Sequence, residues 1–126
     1  FGHSAGGGIA ALLSLRDDVP VRHSGSCGGF YGAGTFERWA DFVPFDWSDS
    51  REVEMRTLIG HFQDMRFHHY AYLGTQEYLD DERLAVLEDI NGGGSRFTAI
   101  RIPGDHLTSL RPAMDRYLEL IRNDEY

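Results

Sequence analysis

Lysine is missing from this sequence; all 12 basic residues are arginine. That excludes a Walker A lysine, a Schiff-base or pyridoxal lysine and a Ser–Lys dyad. Cysteine is nearly missing too. Cys27 is the only one, so no intrachain disulfide can form and a cysteine-rich metal site lacks its ligands. It fits a reducing compartment. No cysteine-nucleophile signature surrounds it in Gly25-Ser26-Cys27-Gly28-Gly29, so it reads as a small buried or loop thiol. Positive charge is scarce: 12 basic against 20 acidic residues leave a net charge of -8. A nucleic-acid binder carries a basic patch, so no nucleic-acid partner is expected. No stretch approaches the roughly 18 consecutive apolar residues of a membrane span, and no secretory signal is visible. The expectation is a cytoplasmic protein with no membrane partner.

Other cofactor chemistry is thin as well. His68 and His69 are neighbours in an expected strand and face opposite sides, so they cannot share a metal ion. His3, His23 and His61 are scattered, and no helix carries an H-x-x-x-H pair. The glycines between Gly28 and Gly34 lack the strand-then-helix setting of a dinucleotide site. Neither a metal nor a cofactor is expected.

What is present begins at the second residue. Gly2-His3-Ser4-Ala5-Gly6 is followed by Gly7-Gly8 and the apolar run Ile9-Ala10-Ala11-Leu12-Leu13. This is the G-x-S-x-G nucleophile elbow, where a strand turns sharply into a helix and exposes a serine hydroxyl. Glycines two residues before and after the serine are read as steric requirements, since a Cβ there would meet the neighbouring strand or helix. A plainer alternative has Ser4 as nothing more than a helix N-cap. An elbow needs a preceding buried strand, of which only Phe1 is left, so the front of such a fold is expected to be missing.

The 126 residues are 41% hydrophobic, enough for one core, with no repeats and no linker. Helical spacing runs from Ala5 to Arg16, and a short strand is expected over Val19–His23. Residues 24–34 read as a glycine-rich loop. A short helix is expected over Phe36–Phe42, then a turn at Val43–Trp47. Ser50 is a possible N-cap for a helix over Arg51–Met65 interrupted near Gly60. Phe67–Leu73 reads as a strand, Asp80–Ile90 as a helix and Arg96–Ile102 as a strand. A last helix over Leu107–Ile121 places Leu110, Met114, Leu118 and Ile121 on one face, with Pro112 in its first turn. Trp39, Phe42, Phe45 and Trp47 suggest a small aromatic lid or core under a loop. Alternating strands and helices imply an α/β fold with a parallel sheet and crossover helices.

In such a sheet, functional groups gather in loops at the carboxyl ends of strands. Two loops qualify: Gly74-Thr75-Gln76-Glu77 and Pro103-Gly104-Asp105-His106. With Ser4, the chain order is serine, carboxylate, histidine. These three features together resemble the C-terminal half of an α/β-hydrolase, most similar to the prolyl-oligopeptidase-like and esterase branches. Val43-Pro44-Phe45-Asp46 followed by Glu52 and Arg56 is a weaker likeness to the same branch. The resemblance covers nearly all of residues 1–126, read as one partial domain running from elbow to terminal helix. A whole domain of this kind needs roughly 200–250 residues.

The resemblance implies a catalytic triad of Ser4 as nucleophile, His106 as general base and Glu77 as acid, with the Ala5 backbone N–H in the oxyanion hole. Most members carry aspartate at the acid position. Asp80 or Asp81 could serve instead, and Asp105 could cap the following helix. The second oxyanion donor comes from an early loop that these residues do not include. The function implied is a serine hydrolase cleaving a small-molecule carboxylic ester or amide through an acyl-serine intermediate. Two alternatives remain: a non-catalytic half-domain completing its sheet with another chain, or an acyltransferase using the same serine. The expected macromolecular partner is the missing N-terminal half of the fold or a second copy.

Overall fold

Small residues, not large ones, organise the sheet. In the computed structural model, which describes residues 1–32, 46–79, 81–89 and 96–124, four strands lie parallel in chain order. They are β1 (Gly2–His3), β2 (His23–Cys27), β3 (His68–Gly74) and β4 (Phe97–Ile102). The register aligns Gly2, Ser26, Ala71 and Ala99 across all four strands. That row of small side chains gives α1 (Ala5–Leu12) a shallow bed. The helix lies so close that a Cβ on Gly7 would come within 3.0 Å of Ser26 Cβ. Parallel neighbours require crossovers. α1, α2 (Ser50–Met55) and α3 (Asp81–Asp89) lie in the three connections, and α4 (Leu110–Arg122) follows β4. The α/β class with a parallel sheet is the architecture of this chain.

Alternation along β3 divides the core. Ala71 and Leu73 pack with Ala11, Leu58, Met65, Val86 and Phe97 on one face. Tyr70 and Tyr72 pack with Cys27, Ile102, Ala113 and Tyr117 on the other, so α4 covers the face opposite α1. Among the described residues, no helix is long and apolar enough to cross a membrane.

Several expectations need correction. The second strand is His23–Cys27, beginning where the expected Val19–His23 strand was to end. Val21 is 46% exposed, whereas Ser24, Gly25, Ser26 and Cys27 are buried. Gly25 belongs in a strand because the rings of Phe1 and Tyr117 lie against it; a Cβ would stand 2.8 Å from each. Packing of this kind overrides intrinsic preference. The N-cap of α2 is Asp49, one residue before Ser50, its carboxylate accepting from Arg51 N–H. That helix ends at Met55, and Gly60 takes φ +90 in the turn that follows. On α4 the buried residues are Ala113 and Tyr117, while Met114, Leu118 and Ile121 are at least 38% exposed. Of the stripe read from the sequence, Leu110 packs against the buried cluster and the other three lie beside the packed face. Pro112 does fall in the first turn. The helix expected over Phe36–Phe42 and the residues Trp39, Phe42 and Phe45 lie outside the described residues; Trp47 is 39% exposed.

Candidate active site

Ser4 sits at the bend between β1 and α1 with φ 55 and ψ -122. Positive φ is sterically costly for a residue with a Cβ, on the order of 1–3 kcal/mol, and persists only where neighbours enforce it. Here they do. Ser4 N–H donates to the Cys27 carbonyl at 3.0 Å, and the Ser4 carbonyl accepts from Gly7 N–H at 2.9 Å and Gly8 N–H at 3.3 Å. Its hydroxyl makes no capping hydrogen bond to its own helix. The plain N-cap reading of the side chain fails on that point. Gly2 is sterically required, since a Cβ would run into the Gly6 carbonyl. Gly6 is not: nothing lies within 4 Å of a Cβ there, so the symmetrical requirement expected of the two glycines holds only for the first.

The hydroxyl turns instead to His106, 3.0 Å from Ser4 Oγ to Nε2. The other ring nitrogen donates to Glu77, with Nδ1 2.6 Å from Oε1. A carboxylate only accepts, so the proton is on Nδ1 and Nε2 is left to accept from serine. Ser4 is followed by a helix, Glu77 stands three residues beyond the end of β3 and His106 four beyond β4. The carboxyl ends of β1, β3 and β4 thus deliver all three groups to one place. Glu77 is nearly enclosed, with 3% of its side chain exposed, while His106 is 37% exposed and open to an approaching molecule.

The alternatives to Glu77 go elsewhere. Asp81 is the first residue of α3, and Asp80 lies outside the described residues. Asp105 folds back on its own turn, accepting from Leu107 N–H and Thr108 N–H at 2.9 and 2.8 Å and from the Thr108 hydroxyl. Those hydrogen bonds, from the Thr108 and Leu107 amides first, hold its carboxyl below the usual carboxylate range.

β2 contributes by being absent in side chain. Gly28, the residue after it, has φ +59, and a Cβ there would lie 2.8 Å from His106 Nδ1 and 3.0 Å from Glu77 Oε1. The acid–histidine hydrogen bond passes over a bare backbone. In the sequence Gly28 reads as a loop glycine; its place one residue past a buried strand is visible only once that strand is set at His23–Cys27.

Three further residues went unrecognised. His3 Nε2–H donates to the His106 carbonyl at 2.8 Å, fixing the histidine's backbone from inside the elbow. Phe30 lies parallel to the His106 ring, with centroids 6.4 Å apart and planes 3° from coplanar. Arg83, on α3, donates to Glu77 Oε1 at 2.7 Å and to the Tyr78 carbonyl at 2.9 Å. Its charge six residues beyond Glu77 was the only sequence hint.

A second histidine lies in the core. His69 is fully buried between Ser24 and Ser26, at 2.7 Å from Nδ1 and 2.8 Å from Nε2. Ser24 donates to the Ala10 carbonyl at 3.2 Å, so it accepts from Nδ1–H; Ser26 then donates to Nε2 and accepts from the Tyr31 hydroxyl at 2.9 Å. Burial, with repulsion from His68 second, pulls the His69 pKa down to about 3. Its neighbour points the other way, His68 meeting Thr98 at 2.6 Å. Cys27 is buried with its sulfur 3.4 Å from Ser109 Oγ, and burial raises its thiol pKa. It is a core thiol. Among the described residues, no group of three or more His, Cys, Asp or Glu could hold a metal ion.

No protein-family model matches the chain, and no curated protein matches it either. Function must therefore be argued from the site alone.

Proposed function

We propose that this chain carries the nucleophile, acid and histidine of a serine hydrolase of the α/β-hydrolase type, acting on a carboxylic ester or small amide. Ser4 Oγ attacks the carbonyl carbon while its proton passes to His106 Nε2. The developing oxyanion lies at the N-terminus of α1, where the Ala5 N–H, as first residue of the helix, has no carbonyl of its own helix to bond. Collapse of the tetrahedral intermediate expels the alcohol or amine, protonated by His106, and leaves an acyl-serine. Water, deprotonated by the same imidazole, releases the acid. Glu77 keeps the proton on Nδ1 and stabilises the imidazolium.

One observation carries the reading: a strained serine at a helix start ignores its own helix and donates to an imidazole already oriented by a buried carboxylate. The test is a fluorophosphonate probe on the full-length protein, which should label Ser4 and nothing else. Ser4→Ala should lower turnover by on the order of 10⁶. An unlabelled Ser4, or a fully active Ser4→Ala variant, would overturn the reading. Product partition between water and an added alcohol or amine separates hydrolysis from acyl transfer.

A partner on the β1 side is a further part of the proposal. α1 is apolar almost throughout, Ile9 is 62% exposed and Phe1 42%. A helix apolar all round is ordinarily covered. The remaining strands of such a fold, or a second copy, would cover it, and sedimentation of this 126-residue chain alone as a monomer at high concentration would count against that.

A further inference from the structure

Resting on the hydrolase reading above, we propose that Arg83 is a positioning residue. It clamps Glu77 as a carboxylate and sets the pH below which the Ser4–His106–Glu77 array stops working. The guanidinium donates to Glu77 Oε1, the same oxygen that accepts from His106 Nδ1–H. A second nitrogen donates to the Tyr78 carbonyl, so the acid loop is tied to α3. The guanidinium carbon also lies 5.7 Å from the centroid of Phe30, whose ring is parallel to His106. Glutamate has one more rotatable bond than aspartate, and freedom in the acid is freedom in the imidazole. The Gly74 N–H holds Oε2 at 3.3 Å and Arg83 holds Oε1, which removes that freedom.

Charge counting gives the pH argument. Arg83 and Glu77 are 9% and 3% exposed in their side chains, so their charges are poorly screened. With Arg83 present, the resting array of carboxylate, neutral imidazole and guanidinium sums to zero, and an added proton makes it cationic. Without Arg83 the array starts at minus one and an added proton neutralises it. Arg83 therefore resists the protonation that would idle His106. Among the other described groups around the array none puts a second buried cation on Glu77; Arg101 is a cation too, but it is exposed to solvent, which screens its charge. The His3 ring lies tilted by 32° to that of His106, with centroids 5.0 Å apart, and donates to the His106 carbonyl. Asp105 is bound into its own turn, and Arg101 donates to the Gly74 carbonyl. Cys27 and Tyr31 are kept neutral, chiefly by burial.

The experiment compares wild type, Arg83→Met and Arg83→Lys in the full-length protein. The readouts are the pH profile of kcat/KM and NMR titration of the His106 ring. Arg83→Met should move the acid limb, and the ring titration, up by about one pH unit, and lower plateau kcat on the order of 10-fold. Arg83→Lys should return the limb while leaving most of the kcat loss, because an ammonium keeps the charge and loses the fork. If Arg83→Met does not fold, Arg83→Gln removes the charge with a smaller volume change and should show the same upward shift. A folded variant without the charge whose limb and ring titration stay put overturns the proposal. Absence of fluorophosphonate labelling would remove the hydrolase reading alone, since the ring titration reads the Arg83 effect without turnover.

Discussion

His106 and His69 each make hydrogen bonds through both ring nitrogens, and they sit in opposite surroundings. His106 lies between a serine hydroxyl and a carboxylate, open on one side; His69 lies between two serine hydroxyls and is sealed. Hydroxyls stabilise the neutral ring but bring no opposing charge, and burial then pulls the His69 pKa to about 3. A carboxylate can stabilise an imidazolium, which a proton carrier must become. The His69 chain runs Tyr31, Ser26, His69, Ser24, Ala10 carbonyl and ends on α1, the helix that begins at the elbow. So His69 braces the helix that begins behind Ser4, while His106 meets the Ser4 hydroxyl itself. Bond count does not separate them; partner charge and exposure do.

Truncating each ring breaks the comparison most sharply. His106→Ala should cost on the order of 10⁶ in turnover on an ester substrate, with a melting curve close to wild type. His69→Ala should do the reverse: it strands buried hydroxyls and opens a cavity, a loss of about 3 kcal/mol by denaturant titration, with near-normal turnover per folded molecule. Next in size is Glu77→Gln. It makes His106 resemble His69 by replacing the charged partner with a neutral one, and turnover should fall on the order of 10⁴ while the protein stays folded.

How much of this was legible in sequence differs from residue to residue. Ser4 and His106 could be read because their settings are local: a glycine-bounded bend and a loop opening onto a helix. Glu77 came only through the likeness to the α/β-hydrolases, which left Asp80 and Asp81 open; the structure puts the Glu77 carboxylate on His106 Nδ1. β2 could not be read, because Ser24, Gly25 and Ser26 form a strand only when α1, Phe1 and Tyr117 are packed on them. The α4 face failed for a related reason. Tyr117 reaches Gly25 and His23, and that long-range fit, not the apolar periodicity, turns the helix. Phe30 and His3 leave no mark in a one-dimensional pattern because each acts on His106, far along the chain, and His3 does so through a backbone atom; Arg83 lies only six residues from Glu77, but a lone arginine on an expected helix reads as a solvated charge.

A smaller perturbation leaves both histidines in place and disturbs the geometry of one. Gly28→Ala puts a methyl within 3.0 Å of the Glu77–His106 hydrogen bond and forces alanine to φ +59. Turnover should drop on the order of 10²-fold through misplacement of the imidazole, with about 1 kcal/mol lost in stability. The His69 array, bonded to Ser24 and Ser26 within β2, makes no contact with a methyl at Gly28, so its acid sensitivity should stay as in wild type. That sensitivity has a definite sign. His69 binds its proton far more weakly folded than unfolded, so the stabilisation from keeping it neutral is complete above the unfolded pKa near 6.5. It is lost as pH falls from there towards about 3. Unfolding free energy should decline as pH falls across that window, by at most roughly 1 kcal/mol per pH unit from this residue. Replacing His69 with glutamine should flatten that slope.

The least effect should come from Asp105, and it separates the acid from its nearest rival. Asp105 adjoins His106 in sequence, yet its carboxylate accepts from Leu107, Thr108 and the Thr108 hydroxyl, while the imidazole is held by Glu77. If those hydrogen bonds describe its role, Asp105→Asn should be almost silent, because an amide oxygen can still accept from both backbone N–H groups. Asp105→Ala should lower the melting temperature slightly and turnover by only a few fold, through loosening of the turn that presents His106. A loss comparable to that of Glu77→Gln would mean that the carboxylate beside the histidine, not the one across from it, sustains the imidazolium. In that case the contrast between the two histidines would rest on the wrong partner.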